Sequence, residues 1–336
     1  MLGSAPFVTA SAGTRPLDQA EWTSFKARFT SPDGRIIDNA NGGVSHSEGQ
    51  GWGMLFAVAF DDAETFDRIY SWTRRTLRRP NDPLHAWRFI PTANPQIQDW
   101  NNATDGDLFI AAALAQAGRR WSRGSYIQDA SLLGQAILSL TVRQVGRRLV
   151  MLPGVQGFET SGFVTINPSY YAFPMFKVLG RVTPGSEWNR LARDGQALID
   201  QGRFGKWQLP PDWLQIARSD QHLSPAPGWP PRFGFDAIRV PLWSSWAGLS
   251  VAPAASAANR FWSAYPGDSF PAWVDLVSGE TAPYAAASGP VAVSRLARAA
   301  PTADSDILPS LSKASNYYDA ALILLCHLAW RDRQPG

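Results

Sequence analysis

Residues 45–54 read Ser-His-Ser-Glu-Gly-Gln-Gly-Trp-Gly-Met, and this stretch decides how the rest of the chain is interpreted. It sets one carboxylate, Glu48, and one large aromatic side chain, Trp52, among glycines at positions 49, 51 and 53. Glycine inside a helix costs about 0.5–1 kcal/mol relative to alanine, so this spacing predicts that something approaches the backbone closely. The apolar run 54–60 behind it is dense enough to form a buried helix. The stretch therefore predicts a carboxylate at the mouth of a buried helix, with room above it for a bulky ligand.

The same residues also fit a purely structural role. Ser45 and Glu48 have the spacing of a helix capping box, in which Glu48 would only bond back to the amide of Ser45. The stretch by itself favours neither interpretation, so the choice depends on the rest of the chain.

Hydrophobic periodicity predicts a chain of ten to twelve helices and gives no support for a parallel sheet. The predicted helices cover residues 17–29, 48–60, 63–77, 104–117, 126–142, 169–179, 187–202, 235–249, 254–265, 291–300 and 317–330. Short strands or a hairpin are expected within residues 150–164. Because no linker separates two halves, we expect one all-α domain over residues 17–332. Residues 1–16 are expected to be extended or poorly ordered.

Composition excludes several classes of protein. The 336 residues carry a formal net charge of +3, and no basic run is long enough to follow a phosphate backbone, so nucleic acid is not an expected partner. No apolar segment reaches the roughly 18–20 residues that span a bilayer. Cys326 is the only cysteine, so no intrachain disulfide can form, and we expect it to pack as a small hydrophobic side chain. A zinc site of the Cys/His type is not expected either.

Fifteen tryptophans are the strongest compositional signal. Core packing must account for most of them, but several lie beside Gly, Pro or Asp rather than within apolar periodic runs. Flat aromatic faces in polar loops suit flat ligands, and sugar rings are the commonest such ligand for a chain without basic patches. The tryptophans in this position are Trp52, Trp87, Trp100, Trp207, Trp213 and Trp229.

Two further acidic sites open predicted helices. The run 103–107 contains Asp105, where Thr104 or Asp105 can be an ordinary N-cap. Asp236 and Arg239 are three residues apart, a spacing that most often gives a structural ion pair on one helical face. If these helices lie side by side, the carboxylates gather at one end of the bundle. Paired carboxylates across a sugar-sized groove are what glycosidic bond cleavage requires.

Several motifs, in this order, resemble those of glycoside hydrolase family 8. They are Ser-Glu-Gly-Gln-Gly-Trp-Gly-Met at 47–54, Ala-Thr-Asp-Gly-Asp at 103–107, Ile-Asn-Pro-Ser-Tyr at 166–170 and Phe-Asp-Ala-Ile-Arg-Val at 235–240. The likeness extends to Leu-His-Ala-Trp at 84–87, Pro-Asp-Trp at 211–213 and Asn-Tyr-Tyr-Asp at 316–319. It covers residues 17 to 331, so the ordered set is far more specific than any one motif. Within the family, the compact length of the chain and the sequence Asp-Ala-Ile-Arg-Val at 236–240 most resemble those of endoglucanases encoded with bacterial cellulose synthases.

The resemblance implies an (α/α)6 barrel of six inner and six outer helices, with a cleft at one end. It implies inverting, endo-acting hydrolysis of β-1,4-glucan without a metal or other cofactor. Glu48 would be the general acid, Asp236 the general base, and Asp105 would hold the distorted sugar. Tyr170 would position the water, and Arg239 would orient Asp236. The candidate substrate-binding aromatics are Trp52, Trp87 and Trp213.

Physical chemistry adds a constraint on Glu48. A helix N-terminus lowers the pKa of a nearby carboxyl, whereas burial and a neighbouring carboxylate raise it by more. We therefore expect Asp105 to lie near Glu48 and to keep it protonated. The separation of acid and base should be roughly 6.5–9.5 Å, the range of inverting enzymes.

The resemblance also bears on context and on alternatives. It implies a periplasmic or secreted protein whose signal peptide preceded this sequence, and a link to bacterial cellulose biosynthesis. We also expect a monomer that associates with a cellulose synthase complex, while the choice between degrading cellulose and trimming it during export stays open. Phe235 stands where tyrosine is expected in many relatives, which removes one hydroxyl from the cleft. Two alternatives stay open: the same mechanism on xylan, chitosan or mixed-linkage glucan, and a glycan-binding protein without activity.

Overall fold

Helices are the main regular elements in the computed structural model, which describes residues 17–300 and 305–334. The predicted state of residues 1–16 lies outside this range. Eleven α-helices occur in the described residues. They are α1 (Gln19–Phe29), α2 (Ser47–Ala59), α3 (Ala63–Leu77), α4 (Thr104–Arg120), α5 (Gly124–Thr141), α6 (Phe173–Leu179), α7 (Glu187–Gln201), α8 (Arg239–Trp246), α9 (Pro253–Ser263), α10 (Ser288–Arg298) and α11 (Tyr317–Arg333).

The helices form two concentric layers. In the inner layer α2, α4, α6, α8, α10 and α11 contact one another in this order, and α11 returns to α2, which closes a ring. In the outer layer α3 packs on α2, α5 on α4, α7 on α6, α9 on α8 and α1 on α11. The predicted all-α (α/α)6 barrel is therefore confirmed.

One place in the outer layer differs from the prediction. Between α10 and α11, the described residues contain only two short 3-10 turns, Ser305–Ile307 and Leu311–Lys313. The second turn packs against α1 and α11, where a sixth outer helix was expected.

Inner and outer helices differ in how many of their faces are buried. Helix α4 is buried around most of its circumference, and small side chains such as Ala112 and Ala113 let its neighbours pack closely. Helix α7 buries one stripe, on which Trp188, Leu191 and Leu198 follow the helical period. Cys326 of α11 is fully buried in the same core, as the sequence predicted.

Small antiparallel sheets form in the segments that connect the helices of the barrel. In the described residues they comprise β1 (Ser45–His46) with β2 (Arg88–Phe89), β3 (Val142–Val145) with β4 (Arg148–Met151), β5 (Phe163–Ile166) with β6 (Leu214–Ala217) and β7 (Leu223–Pro225), and β8 (Arg232–Phe233) with β9 (Val274–Asp275). Within residues 150–164, where short strands or a hairpin were expected, β4 ends and β5 begins, whereas the hairpin of β3 and β4 spans residues 142–151. Pairing of Ser45 with Phe89 ties the loop after α3 to the start of α2.

Candidate active site

Polar residues from distant parts of the chain meet at the N-terminal ends of the inner helices. Glu48 and Asp105 lie in the first turns of α2 and α4, Arg239 begins α8, and Tyr318 is the second residue of α11. Since these helices are neighbours in one closed ring, their N-termini bring the four side chains together at one end of the barrel.

Glu48 is not part of a capping box. Helix α2 has His46 at its N-cap, and no side-chain hydrogen bond caps it. The Ser45 hydroxyl instead donates to the Ile36 carbonyl, so the structural interpretation of this pair is wrong. The Ser47 amide donates to the Trp87 carbonyl at 3.1 Å, which fixes the entry to α2.

Glycines of α2 and α4 let these two helices approach each other closely. A Cβ on Gly51 of α2 would lie 2.6 Å from the Cβ of Phe109, and one on Gly106 of α4 would lie 2.1 Å from the Ser47 Oγ. Close approach of α2 and α4 at these positions brings the starts of the two helices together. The expected close approach to the backbone is therefore confirmed, and the group that approaches is protein, while room for a bulky ligand above the mouth of α2 stays a prediction.

Arg239 connects the three carboxylates. Its Nη1 lies 3.1 Å from the Glu48 Oε1, and its Nη2 lies 3.0 Å from the Asp236 Oδ1 and 3.7 Å from the Asp105 Oδ2. Nη2 also donates to the Ser169 Oγ at 2.7 Å. Only 4% of the Arg239 side chain is exposed, so water screens its interaction with these neighbours weakly.

Asp236 lies on a turn and not on a helix. The predicted helix over 235–249 begins only at Arg239, and residues 234–238 form the turn that precedes it. The Asp236 carbonyl accepts from the Arg239 amide at 3.0 Å, and the side chains of both residues pair across the same three-residue step. The predicted contact between Asp236 and Arg239 is therefore confirmed, while its helical setting is wrong.

Asp105 is also positioned without the predicted cap. Ala103 is the N-cap of α4, and no side-chain hydrogen bond caps the helix. The Thr104 hydroxyl, which was a candidate cap, donates to the Leu152 carbonyl. The Asp105 Oδ1 accepts from the Gly106 amide at 2.8 Å.

Burial dominates the protonation of this cluster. Burial raises the pKa of Glu48, Arg239 opposes it, and the charge of Asp236 adds to it. Burial and then the Glu48 charge raise the pKa of Asp105 well above its usual range. The predicted proximity of Asp105 to Glu48 is confirmed, and so is the predicted rise of the Glu48 pKa. Burial, one of the two predicted causes, is the largest, and the carboxylate that raises the pKa is Asp236. The part assigned to Asp105 is wrong, since its hydrogen bond with Glu48 lowers the Glu48 pKa.

Tyr170 lies against the same carboxylates at the end of a 3-10 turn, Pro168–Tyr170. Burial raises the pKa of Tyr170 well above its usual range, and the charges of Asp105, Asp236 and Glu48 add to this effect. The phenol therefore stays protonated and can donate a hydrogen bond. The preceding Ser169 is held by Asn167, so the turn supports both Tyr170 and Arg239.

The three predicted platform tryptophans have different surroundings. Trp52 is fully buried between Phe109 and Tyr318, so its prediction as a sugar platform is wrong. Trp87 is half-buried, and its ring lies nearly parallel to that of His46 at 6.0 Å, one residue before α2. Its indole N–H donates to the Asp99 carboxylate at 2.9 Å.

Trp213 belongs to an aromatic stack. Its ring lies nearly parallel to those of Trp229 at 4.6 Å and Phe158 at 5.8 Å, and Tyr170 is 6.4 Å away. The stack thus reaches from a loop tryptophan to the carboxylate cluster.

Two residues of the site were given no role from the sequence. The Asp212 carboxylate accepts hydrogen bonds from the turn that carries Asp236, and the Tyr318 hydroxyl donates to the Phe235 carbonyl on that turn. Both lie in runs that carried the family likeness, 211–213 and 316–319, so the signal was present but did not reveal what the side chains contact.

Within residues 17–300 and 305–334, no group of three or more His, Cys, Asp or Glu side chains is arranged to hold a metal ion. None of the helices in the same ranges is long and apolar enough to cross a membrane.

A closed double ring of helices with carboxylates and an arginine at one end, bordered by aromatic side chains, defines a class of protein, the helical-barrel glycoside hydrolases. Comparison with known proteins assigns the family: the model of glycosyl hydrolases family 8 matches residues 2–332. The chain belongs to this family.

Individual relatives agree with that assignment. The chain is 43% identical over 309 residues to a probable endoglucanase of Novacetimonas hansenii, which covers 92% of this chain and 90% of that protein. It is 44% identical over 276 residues to an endoglucanase of Cellulomonas uda, with coverage of 82% and 76%. The solved structure of the endo-β-1,4-glucanase CMCax from Acetobacter xylinum superposes with a TM-score of 0.89 at 42% identity, over 94% of this chain and 98% of that one.

Proposed function

We propose that this protein is an endo-β-1,4-glucanase that hydrolyses cellulose-type β-glucan with inversion at the anomeric carbon. The observation that carries the proposal is the cluster of Glu48, Asp105 and Asp236 around one buried arginine. Family membership and the printed names of the relatives support the substrate class.

In the proposed reaction two carboxyl groups act on opposite faces of a sugar ring. Protonated Glu48 donates its proton to the glycosidic oxygen as the bond from the anomeric carbon to that oxygen breaks. Ionised Asp236 removes a proton from a water molecule, and the water oxygen forms the new bond to the anomeric carbon. Each turnover leaves Glu48 ionised and Asp236 protonated, so one proton must return before the next.

The remaining residues support these two groups. Asp105 would bind the distorted sugar at the cleavage point, and Tyr170 would donate a hydrogen bond that helps to place the water. Arg239 would orient Asp236 through the 3.0 Å contact with its carboxylate. Trp87 and Trp213 would stack on sugar rings along the cleft, since both are half-buried beside the cluster.

We also propose that the enzyme acts outside the cytoplasm, in the periplasm or after secretion, as a monomer that takes part in cellulose biosynthesis beside a cellulose synthase complex. The size of the substrate supports the location, because a polymeric glucan is found where it is exported. The likeness of residues 236–240 to the endoglucanases encoded with cellulose synthases supports the biosynthetic role. Cell fractionation and light scattering of the purified protein test location and monomer. A cellulose-producing host without the gene tests the role through the yield and crystallinity of its cellulose.

The test is hydrolysis of carboxymethyl cellulose, followed by loss of viscosity and release of reducing ends. Wild type should lower viscosity early and release the α-anomer first by NMR. Glu48→Gln and Asp236→Asn should each reduce kcat by at least about 10³-fold while circular dichroism and Tm show a folded protein.

Other outcomes would redirect or reject the proposal. Activity on xylan or chitosan alone would keep the mechanism and reject the substrate. Binding of glucan without cleavage of any of these polymers would reject the enzyme and leave a glycan-binding protein.

A further inference from the structure

Asp212 holds the turn that carries the proposed general base. Its Oδ1 accepts backbone hydrogen bonds from Gly234 at 3.0 Å, Asp236 at 3.2 Å and Ala237 at 2.7 Å. In return the Asp212 amide donates to the Arg232 carbonyl at 2.7 Å. One carboxylate oxygen thus satisfies three amides of a turn that does not begin with a helical cap of its own.

The sequence is suited to this arrangement at Gly234. A Cβ at this position would lie 3.0 Å from the Asp212 Oδ2, so a larger residue would press on the carboxylate. Gly234 therefore lets the acid approach the turn closely.

The charges around Asp212 are unbalanced. Asp236 faces it from the turn, and Arg239 lies beyond Asp236, where it is already shared by three carboxylates. Arg232 on the neighbouring strand extends over the ring of Trp273 at 3.6 Å. Among the ion pairs of the described residues none involves Asp212, and the charge that acts on it is that of another acid, Asp236.

We propose that Asp212 is a positioning residue for the general base, which fixes the turn that carries Asp236 and, when ionised, places a negative charge beside the reacting water. This inference rests on the proposed role of Asp236. A negative charge beside the base favours transfer of a proton from water towards it, and Asp236 must take one such proton in each turnover.

The protonation of Asp212 gives the inference a pH signature. Burial, and then the charge of Asp236, raise the pKa of Asp212 to about 7. Below this pH Asp212 is neutral and only positions the turn. Above it Asp212 is ionised, and its charge also assists the transfer of a proton from water. A residue that served only as a structural cap would affect activity equally at every pH.

The experiment compares kcat between pH 5 and pH 8 for wild type, Asp212→Asn and Asp212→Ala. Asparagine keeps an oxygen that can accept the three amides but carries no charge, whereas alanine removes both. Asp212→Asn should stay within about 2-fold of wild type at pH 5 and fall about 3- to 10-fold below it at pH 8. Asp212→Ala should lose activity at all pH values, with KM changed less than kcat in both variants.

A matched control and two contrary outcomes complete the design. Asp220→Asn changes an exposed aspartate of the same region that bonds only to the His222 amide, and it should leave the profile unchanged. A constant ratio of Asp212→Asn to wild type across the pH range would overturn the role of the charge. Wild-type activity in Asp212→Ala would overturn the positioning role.

The proposed function and this inference can fail separately. If folded wild type cleaves no β-glucan, the proposed function fails, and the coupling is measured by ¹³C NMR of aspartate carboxyls. A carboxyl that titrates near pH 7 in wild type and is missing in Asp212→Asn would support the inference. No such carboxyl in wild type would overturn it.

Discussion

At the scale of single residues, the charges of the site determine which carboxyl groups stay protonated. Three carboxylates share one guanidinium, and the Glu48 and Asp105 carboxyl groups have raised pKa values because they are buried. Burial thus outweighs the positive ends of α2 and α4, which would otherwise favour ionised acids. A group that stays protonated in the cleft is what a general acid needs near neutral pH.

Arg239 is expected to set the basic limb of the pH profile, where the general acid loses its proton. Replacing it by glutamine removes a cation that lowers the pKa of Glu48. The limb set by Glu48 should therefore move to higher pH. We expect kcat to fall about 10²-fold or more, since one guanidinium orients both carboxylates. The measurement is kcat/KM from pH 4 to pH 9, with Arg218→Gln, a surface arginine paired with Glu159, as the control.

Asp105 is expected to lower the stability of the folded protein at neutral and alkaline pH. Its folded pKa is raised well above the usual 3.8, so its contribution to stability is fully present below about pH 3.8 and is lost as pH rises through the folded pKa. Asp105→Asn should therefore be more stable than wild type at pH 8, by about 2–4 °C in Tm, and should approach wild type at acid pH. Calorimetry at pH 4, 6 and 8 checks this. An equal difference at all three values would contradict the linkage.

At the scale of elements, the helices were predictable where one face or all faces follow the helical period, as in α4, α7 and α11. The sequence could not show where α8 begins. Residues 234–238 continue the apolar spacing, but their amides bond to Asp212, which lies more than twenty residues earlier. The burial of Trp52 could not be predicted for the same reason, because it depends on contacts with α4 and α11. Contacts between distant segments decided both cases, while the carboxylates themselves could be found from ordered motifs.

Packing of α2 on α4 gives a test of the glycines in the opening stretch. Gly51→Ala would put a Cβ 2.6 Å from Phe109 and 3.0 Å from the Ile110 amide, so the helices must separate. We expect a loss of about 1–3 kcal/mol in the free energy of unfolding, together with reduced kcat. Gly124→Ala at the start of α5 is the control, because nothing lies within 4 Å of its Cβ position. It should be neutral or stabilising by up to about 1 kcal/mol.

At the scale of the whole molecule, the barrel brings distant motifs to one end. Helices α2, α4, α8 and α11 contribute their N-termini, and the loops between helices contribute the aromatic rings. The predicted separation of acid and base stays a prediction, although one guanidinium contacts both groups. Because the ring closes through α11 and α2, the C-terminal motif at 316–319 reaches the first one.

The arrangement of aromatics predicts a cleft longer than one sugar. Trp87 is joined to the entry of α2, whereas Trp213 stacks with Trp229 and Phe158 at the loops that lead to α6 and α8. We expect Trp87→Ala and Trp213→Ala to raise KM for long glucans about 3- to 10-fold, since each removes a ring that stacks on sugar. The loss should grow with the length of the cello-oligosaccharide, measured by kcat/KM from three to six units. An equal loss at every length would instead indicate that the tryptophans act by supporting Glu48 and Asp236, and would contradict their role as platforms.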